Sequence, residues 1–368
     1  MGKIKNILLS VDLEGNGIVN YDSSDQKKMY LNTNLQNTMY VYYDNVAYAK
    51  KVFTETDGIL SYKIKISHDC LMHGMYVEKY ISKVPKITVH DALFYSFIAS
   101  PEAITTGYLN ANTAETQKKK GAITLLDAVQ TCNAKSYLDQ GGRSGSKVSK
   151  DDSTDKADNS IFKRESVGDI KYSTKGNIDL MSLQFISCDQ TYDRFAFNPD
   201  KFNMFKNFLV KRMPTFNSEL GYYLIKDTTV KLPEYGILFS NDDVLFMVKD
   251  FLKKLLSLYI KRRNGDVRVS SLKIKLVEDV IEDTYEKGKA WITISSMKDI
   301  EALNFETDFF YEQFDAVQAE ELRKEVDRLK EEVEAKEKAE TLAKNERNKI
   351  KNAQKKEEKE KKIKENNQ

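Results

Sequence analysis

Cations on the polar positions of one short stretch are the first residues of this sequence that could do chemistry. From Ile161 to Phe197 the chain reads IFKRESVGDIKYSTKGNIDLMSLQFISCDQTYDRFAF, with Lys163, Arg164 and Lys171 on polar positions and Lys175 in Lys175-Gly176-Asn177. Ammonium and guanidinium groups spaced this way can neutralise successive phosphates of a polyanion, and they equally describe the solvated face of an ordinary strand. Three more clusters offer the same chemistry: Lys118-Lys119-Lys120, Arg143 with Lys147 and Lys150, and Lys261-Arg262-Arg263. The last also reads as cations on a helix C-terminus, stopped by Asn264-Gly265.

Other reactive side chains carry less. His68, Cys70 and His73 suggest part of a metal site, but no fourth ligand stands at a usual spacing, and packing and capping roles account for all three. No metal and no cofactor is expected. Gly15-Asn16-Gly17 lacks the third glycine and the following helix of a phosphate loop, so it reads as a bulge or tight turn, with Ile18-Val19-Asn20-Tyr21 continuing as a strand. Asp22 and Asp25 sit in a polar loop, where solvated carboxylates are ordinary.

The elements that must position these groups follow from periodicity. The Ile161–Phe197 stretch reads as a β-hairpin turning at Lys175-Gly176-Asn177, with Leu180, Leu183, Phe185 and Ile186 on its returning arm. Ile7, Leu9, Val11 and Leu13 alternate as a half-buried strand, and Tyr62 to Ile66 alternates again before a helix opened by Ser67 or Asp69. Helices are expected over His90–Ala99 and from Asn198-Pro199-Asp200 to Met213-Pro214, and the clearest one over Ser240–Ile260, where Leu245, Val248, Leu252, Leu255 and Tyr259 repeat at helical spacing. Val267, Val269, Leu272, Ile274 and Leu276 form a late core strand with a bulge at Ser270-Ser271. Asp139–Asn159 is rich in Gly, Ser, Asp and Lys and should stay mobile. From Glu320 the chain becomes Lys/Glu-rich; Leu322, Val326, Leu329 and Val333 make only two heptads, so a frayed, solvated helix is expected.

At 368 residues, 40% hydrophobic and 11% aromatic, the chain can bury a sizeable core. Its formal charge is +2; the segment from Glu320 holds 16 Lys/Arg against 14 Asp/Glu, leaving 42 of each in the body. Net charge therefore argues for no nucleic-acid partner, and any such surface must come from local segregation of charge. Three widely spaced cysteines make no disulfide framework, and no apolar run is long enough to span a bilayer. A soluble protein of the reducing cytoplasm, with no signal peptide and no membrane partner, is the expectation.

Read together with GNGIVNYD (Gly15–Asp22), KIKISHDCLMHGMY (Lys63–Tyr76), ITTGYLN (Ile104–Asn110) and GILFSNDDVLFMVKDFLKKLLSLYIKRRNGD (Gly236–Asp266), the Ile161–Phe197 stretch resembles the repeated backbone subunit of class 1 CRISPR effector complexes, most of all that of the compact type I-F variant Cascade. The resemblance runs in order over about residues 4 to 277 and implies an α+β fold of the RAMP superfamily: an RRM/ferredoxin-like palm with inserted fingers and a thumb hairpin. The domain reading is a body over 1–319 and a charged helical tail over 320–368. It further implies a non-catalytic guide-RNA-binding subunit of antiviral defence, with copies polymerising as a helical filament along crRNA, base pairing with a target nucleic acid, and other effector subunits as partners. RNA would be held by backbone and shape, since a guide of arbitrary sequence excludes base readout by the protein. The RNA-binding residues expected are Lys163, Arg164, Lys171, Lys175, Lys261, Arg262, Arg263, His73 and Arg143. Where the family has an Arg before the His of its first helix, this chain has Met72 before His73. No pair of aromatic RRM signatures is found, so stacking of bases on the sheet is not implied. The competing readings are a type III-like subunit that cleaves RNA through Asp22 or Asp25 and a coiled-coil scaffold protein acting through its tail.

Overall fold

A computed structural model of the chain describes residues 2–21, 46–56, 59–75, 91–110, 116–143, 160–189, 195–226 and 232–365. The strands are β1 (Asn6–Gly17), β2 (Val46–Ala47), β3 (Lys51–Thr56), β4 (Ile59–Ile66), β5 (Tyr108–Asn110), β6 (Gln117–Lys119), β7 (Ile123–Leu125), β8 (Ala128–Gln130), β9 (Tyr137–Arg143), β10 (Ser160–Ser166), β11 (Asp169–Asp179), β12 (Phe185–Ser187), β13 (Leu220–Ile225), β14 (Glu234–Leu238), β15 (Tyr259–Arg262), β16 (Gly265–Val277), β17 (Ile292–Ile294) and β18 (Tyr311–Phe314). The helices are α1 (His68–Met75), α2 (Asp91–Ile98), α3 (Pro101–Thr106), α4 (Leu180–Gln184), α5 (Phe202–Val210), α6 (Asn241–Leu256), α7 (Met297–Ala302) and α8 (Ala316–Glu365). The fold class is α+β, and the chain divides into two compact units, Met1–Leu220 with Gly236–Phe310 and Gly221–Tyr235 with Tyr311–Gln368.

In the first unit an antiparallel sheet runs β15-β16-β1-β11-β8-β4-β3, with β17 pairing β16 and β7 pairing β11. β1 is its hub because Ile7, Leu9, Val11 and Leu13 alternate inward and are all at most 1% exposed. β16 carries the expected bulge: its register slips between Asp12 and Leu13, which face Ser271 and Val269. Ser240 and Asp243 form a capping box that starts α6, and Val244, Met247, Val248, Phe251, Leu252 and Leu255 form its buried stripe. Burying side chains of this kind contributes about 1.5–3 kcal/mol each.

Two expected elements are corrected. The hairpin turning at Lys175-Gly176-Asn177 does not exist: β11 runs unbroken through those residues, alternating exposed and buried, and the turn falls earlier, at Val167-Gly168. Gly176 is a mid-strand glycine because β7 lies so close that a Cβ would stand 2.4 Å from the Thr124 carbonyl oxygen. The returning arm is instead α4 followed by β12. Likewise α6 stops at Leu256, and Lys261-Arg262-Arg263 close no helix; Tyr259–Arg262 is a strand that folds back on β16 through Arg263-Asn264. The aromatic and β-branched pair Tyr259-Ile260 suits a strand, and Asn264 suits the two-residue loop, which favours that hairpin over a helix end. β1 also stops at Gly17, and Ile18 and Val19 are buried outside any strand.

β10 pairs with β9 antiparallel and with β2 in parallel, forming a separate ribbon. Among its ties to the main sheet is the buried ion pair of Lys51 on β3 with Glu165 on β10. In the second unit β13 pairs with β18, and the Arg323 guanidinium lies over the Tyr222 ring while donating to the Pro233 carbonyl at 3.2 Å. α8 is one continuous helix of 50 residues, where a frayed one was expected; pairs such as Arg328 with Glu325 and Glu332 lace its surface.

Candidate nucleic-acid interface

Strand register, not sequence proximity, assembles the outer face of the main sheet. Tyr259 faces Arg268, Arg268 faces Glu14, and Glu14 faces Lys171, so four side chains from β15, β16, β1 and β11 form one row across the sheet. They line a groove of about 630 Å³ shared with Asn16, Asp169, Asp266 and Cys132. Arg268 grips the Glu14 carboxylate at 2.9 Å through Nη2 and 3.2 Å through Nε, yet stays 69% exposed at its side chain. A second row places Lys175 and Lys273 on either side of Ser10, with the Lys175 ammonium 5.0 Å from the Tyr285 ring centre. Lys171 and Lys175 are four residues apart on one face of β11, about 13 Å. Cations and carboxylates interleave here, so the face attracts an anion through local contacts only.

The cationic tip lies next to this groove. Lys261, Arg262 and Arg263 are exposed on the β15–β16 hairpin, whose turn residue Asn264 accepts a hydrogen bond from Arg164 Nη1. The glycines of β1 make room for it: a Cβ on Gly17, at φ +76°, would meet the Asn264 carbonyl oxygen at 2.1 Å, and one on Gly15 would meet that of Asp266 at 2.0 Å. Gly15-Asn16-Gly17 therefore serves close backbone packing. α1 packs on β15, where a Cβ on Gly74 would stand 2.7 Å from Ile260 Cγ1. Burial pushes the Cys70 thiol of α1 up, and the neighbouring Arg262 draws it back. His73, exposed, is one turn beyond Cys70.

The structure thus brings Arg164, Lys261, Arg262, Arg263 and the helix bearing His73 around one hairpin, while Lys171 and Lys175 stand on β11 across the sheet. Arg164 is committed to structure, donating to Asp139 Oδ2 at 3.0 and 3.2 Å as well as to Asn264. Lys163 is exposed on the opposite face of β10. Arg143 ends β9 with its backbone opposite Ser160. Lys119 of the Lys118–Lys120 cluster is buried and donates to the Ser182 carbonyl at 3.1 Å. Asp22, Asp25, Lys147 and Lys150 lie outside the described residues, as does most of the expected Asp139–Asn159 loop. Among the described residues no group of three or more His, Cys, Asp or Glu gathers as a metal site.

Residues 3–280 match the family model described as type I-Fv CRISPR-associated protein Cas7fv-like. The chain belongs to the Cas7fv-like family. It is a Cas7-like backbone subunit of a type I-F variant Cascade. A chain of a solved CRISPR RNA-guided surveillance complex, pre-nicking, is 8% identical with a TM-score of 0.34, over 73% of this chain and 77% of that one, a likeness too low to carry argument. No curated protein matches the chain.

Tyr259, Arg268, Glu14 and Lys273 of this Cas7fv-like chain were missed by sequence reasoning. Arg268 and Lys273 were detectable as the polar positions of β16, but Tyr259 was assigned to the preceding helix, and the row exists only once four strands are in register.

Proposed function

We propose that this Cas7fv-like subunit binds guide RNA along the cationic β15–β16 hairpin and the adjoining outer face of the sheet, several copies sharing one crRNA and leaving its bases free to pair with a target. The observation that carries the reading is the continuity of three exposed cations at the hairpin tip with the row Tyr259, Arg268, Glu14 and Lys171, a groove whose lining side chains suit phosphates. Lys171, Lys175, Lys261, Arg262 and Arg263 contact phosphate, with Lys163, His73 and Arg143 flanking them; Arg164 holds the hairpin in place. The body over 1–319 is read as an RRM-like palm with insertions and 320–368 as a tail for other effector subunits. The subunit itself is non-catalytic and works in the cytoplasm; no described helix is long and apolar enough to cross a membrane.

The test is the triple variant Lys261→Ala/Arg262→Ala/Arg263→Ala, titrated with single-stranded RNA across a range of salt. Loss of three phosphate contacts should make the slope of log K against log salt shallower by about 2. Melting should stay near wild type because the three side chains are exposed. An unchanged salt slope would remove the hairpin from the interface.

A further inference from the structure

Among the described residues of the first unit, the two most exposed large apolar side chains are Ile281 at 83% and Leu109 at 70%. They stand on elements of opposite charge. Ile281, with Val280 at 61%, forms the apex of the loop after β16. That loop is braced from within. Asp279 Oδ1 accepts the amides of Ile281 at 2.7 Å and Glu282 at 3.3 Å. Asp283 accepts the amides of Lys289 at 2.8 Å and Glu278 at 3.2 Å, and Gly288 at φ +88° reverses the chain. Beneath, the buried Lys275 ammonium donates to the carbonyls of Thr284 and Lys287 at 2.7 and 2.9 Å, 5.1 Å from the Trp291 ring centre. So many internal bonds pre-organise the loop, and two apolar side chains held rigidly in water suit a partner better than they suit solvent. The exposed carboxylates Asp279 and Glu282 bracket them in sequence.

Leu109 shows the complementary arrangement. On the β5–β6 ribbon it faces Lys118, and alternation puts both on the outer side while Gln117 and Lys119 are buried on the inner side. The exposed Lys120 follows directly. One surface is an apolar knob between carboxylates, the other an apolar spot beside ammonium groups.

We infer that the Val280–Ile281 knob of one chain docks on the Leu109 face of a second copy, with Asp279 and Glu282 meeting Lys118 and Lys120. Because the two patches are different parts of one chain, the contact is heterologous and passes from copy to copy. The inference rests on the reading of the chain as a repeated subunit, but it is tested on protein alone, so failure to bind RNA and failure of this contact are separate results.

The experiment is sedimentation velocity of the full chain without RNA, for wild type, Ile281→Asp, Leu109→Asp and an equimolar mixture of the two variants. Both side chains are exposed, so both variants should fold, which circular dichroism checks. Wild type should self-associate reversibly with concentration, and each single variant should weaken this about tenfold or more. In the mixture one intact knob meets one intact Leu109 face, so association returns as pairs and stops there. A wild type that remains monomeric at its highest soluble concentration, single variants that associate like wild type, or a mixture that fails to recover pairs would each overturn the contact.

Discussion

Replacing Lys51 by Met should be among the most destabilising single changes in the body, although it removes no apolar contact. The Lys51 and Glu165 side chains are 0% and 3% exposed, and their ion pair joins the edge strand β3 to β10. Glu165 Oε2 also accepts the Ala49 amide at 3.0 Å, and the ammonium lies 5.1 Å from the Tyr62 ring centre and 5.4 Å from that of Tyr48. Met keeps most of the lysine stem but leaves the Glu165 carboxylate buried without the ammonium. Breaking one half of a buried pair costs about 3–5 kcal/mol, a large share of a total stability of about 5–15 kcal/mol. Tm should fall by about 10 °C. The pair also seats the ribbon from which Arg164 holds Asn264, so RNA affinity should drop at temperatures where the fold persists.

The assay is a double-mutant cycle by urea denaturation with Lys51→Met, Glu165→Leu and both together. Removing both charges leaves an apolar contact in their place, so the double variant should be more stable than the sum of the singles predicts, by about 2–3 kcal/mol. A Lys51→Met protein that melts within about 1–2 °C of wild type, or a double variant equal to the sum of the singles, would refute the claim that this pair seats the ribbon.

Two other perturbations probe the same body. Burial lowers the Lys119 pKa from the usual 10.5 to about 8, so between those values the unfolded chain holds a proton that the folded one has released, and stability rises with pH. Wild type should gain about 2 kcal/mol relative to Lys119→Met between pH 7.5 and 9.5 in paired denaturant titrations, and parallel pH profiles would show that the ammonium is not held dry. Gly176→Ala should cost about 1–3 kcal/mol by denaturant midpoint, because the added carbon meets the Thr124 carbonyl oxygen at 2.4 Å and Leu125 Cδ2 at 2.7 Å; a neutral change would mean β7 stands off from β11.

β1, β16 and α6 were legible in the sequence because each encodes its burial within its own length, through alternation, a serine pair at the bulge and a capped helical stripe. The failures have one cause. A glycine flanked by Lys and Asn serves equally as a turn residue and as the point where another backbone passes close, and only the β11–β7 pairing separates the two. Lys261-Arg262-Arg263 suits a helix end as well as a hairpin tip, and β16 decides by pairing with Tyr259–Arg262. The candidate site divides along the same line: its local cation clusters could be read directly, whereas the row from Tyr259 to Lys171 depends on registers linking residues up to 254 positions apart, as Glu14 and Arg268 are. Pairing also reassigns charge already found. Arg164 reads in sequence as one phosphate ligand among several, whereas its bonds to Asp139 and Asn264 tie it to the hairpin turn, and the salt titration of the Lys261, Arg262 and Arg263 variant asks whether the exposed cations at that tip carry the phosphate contacts instead.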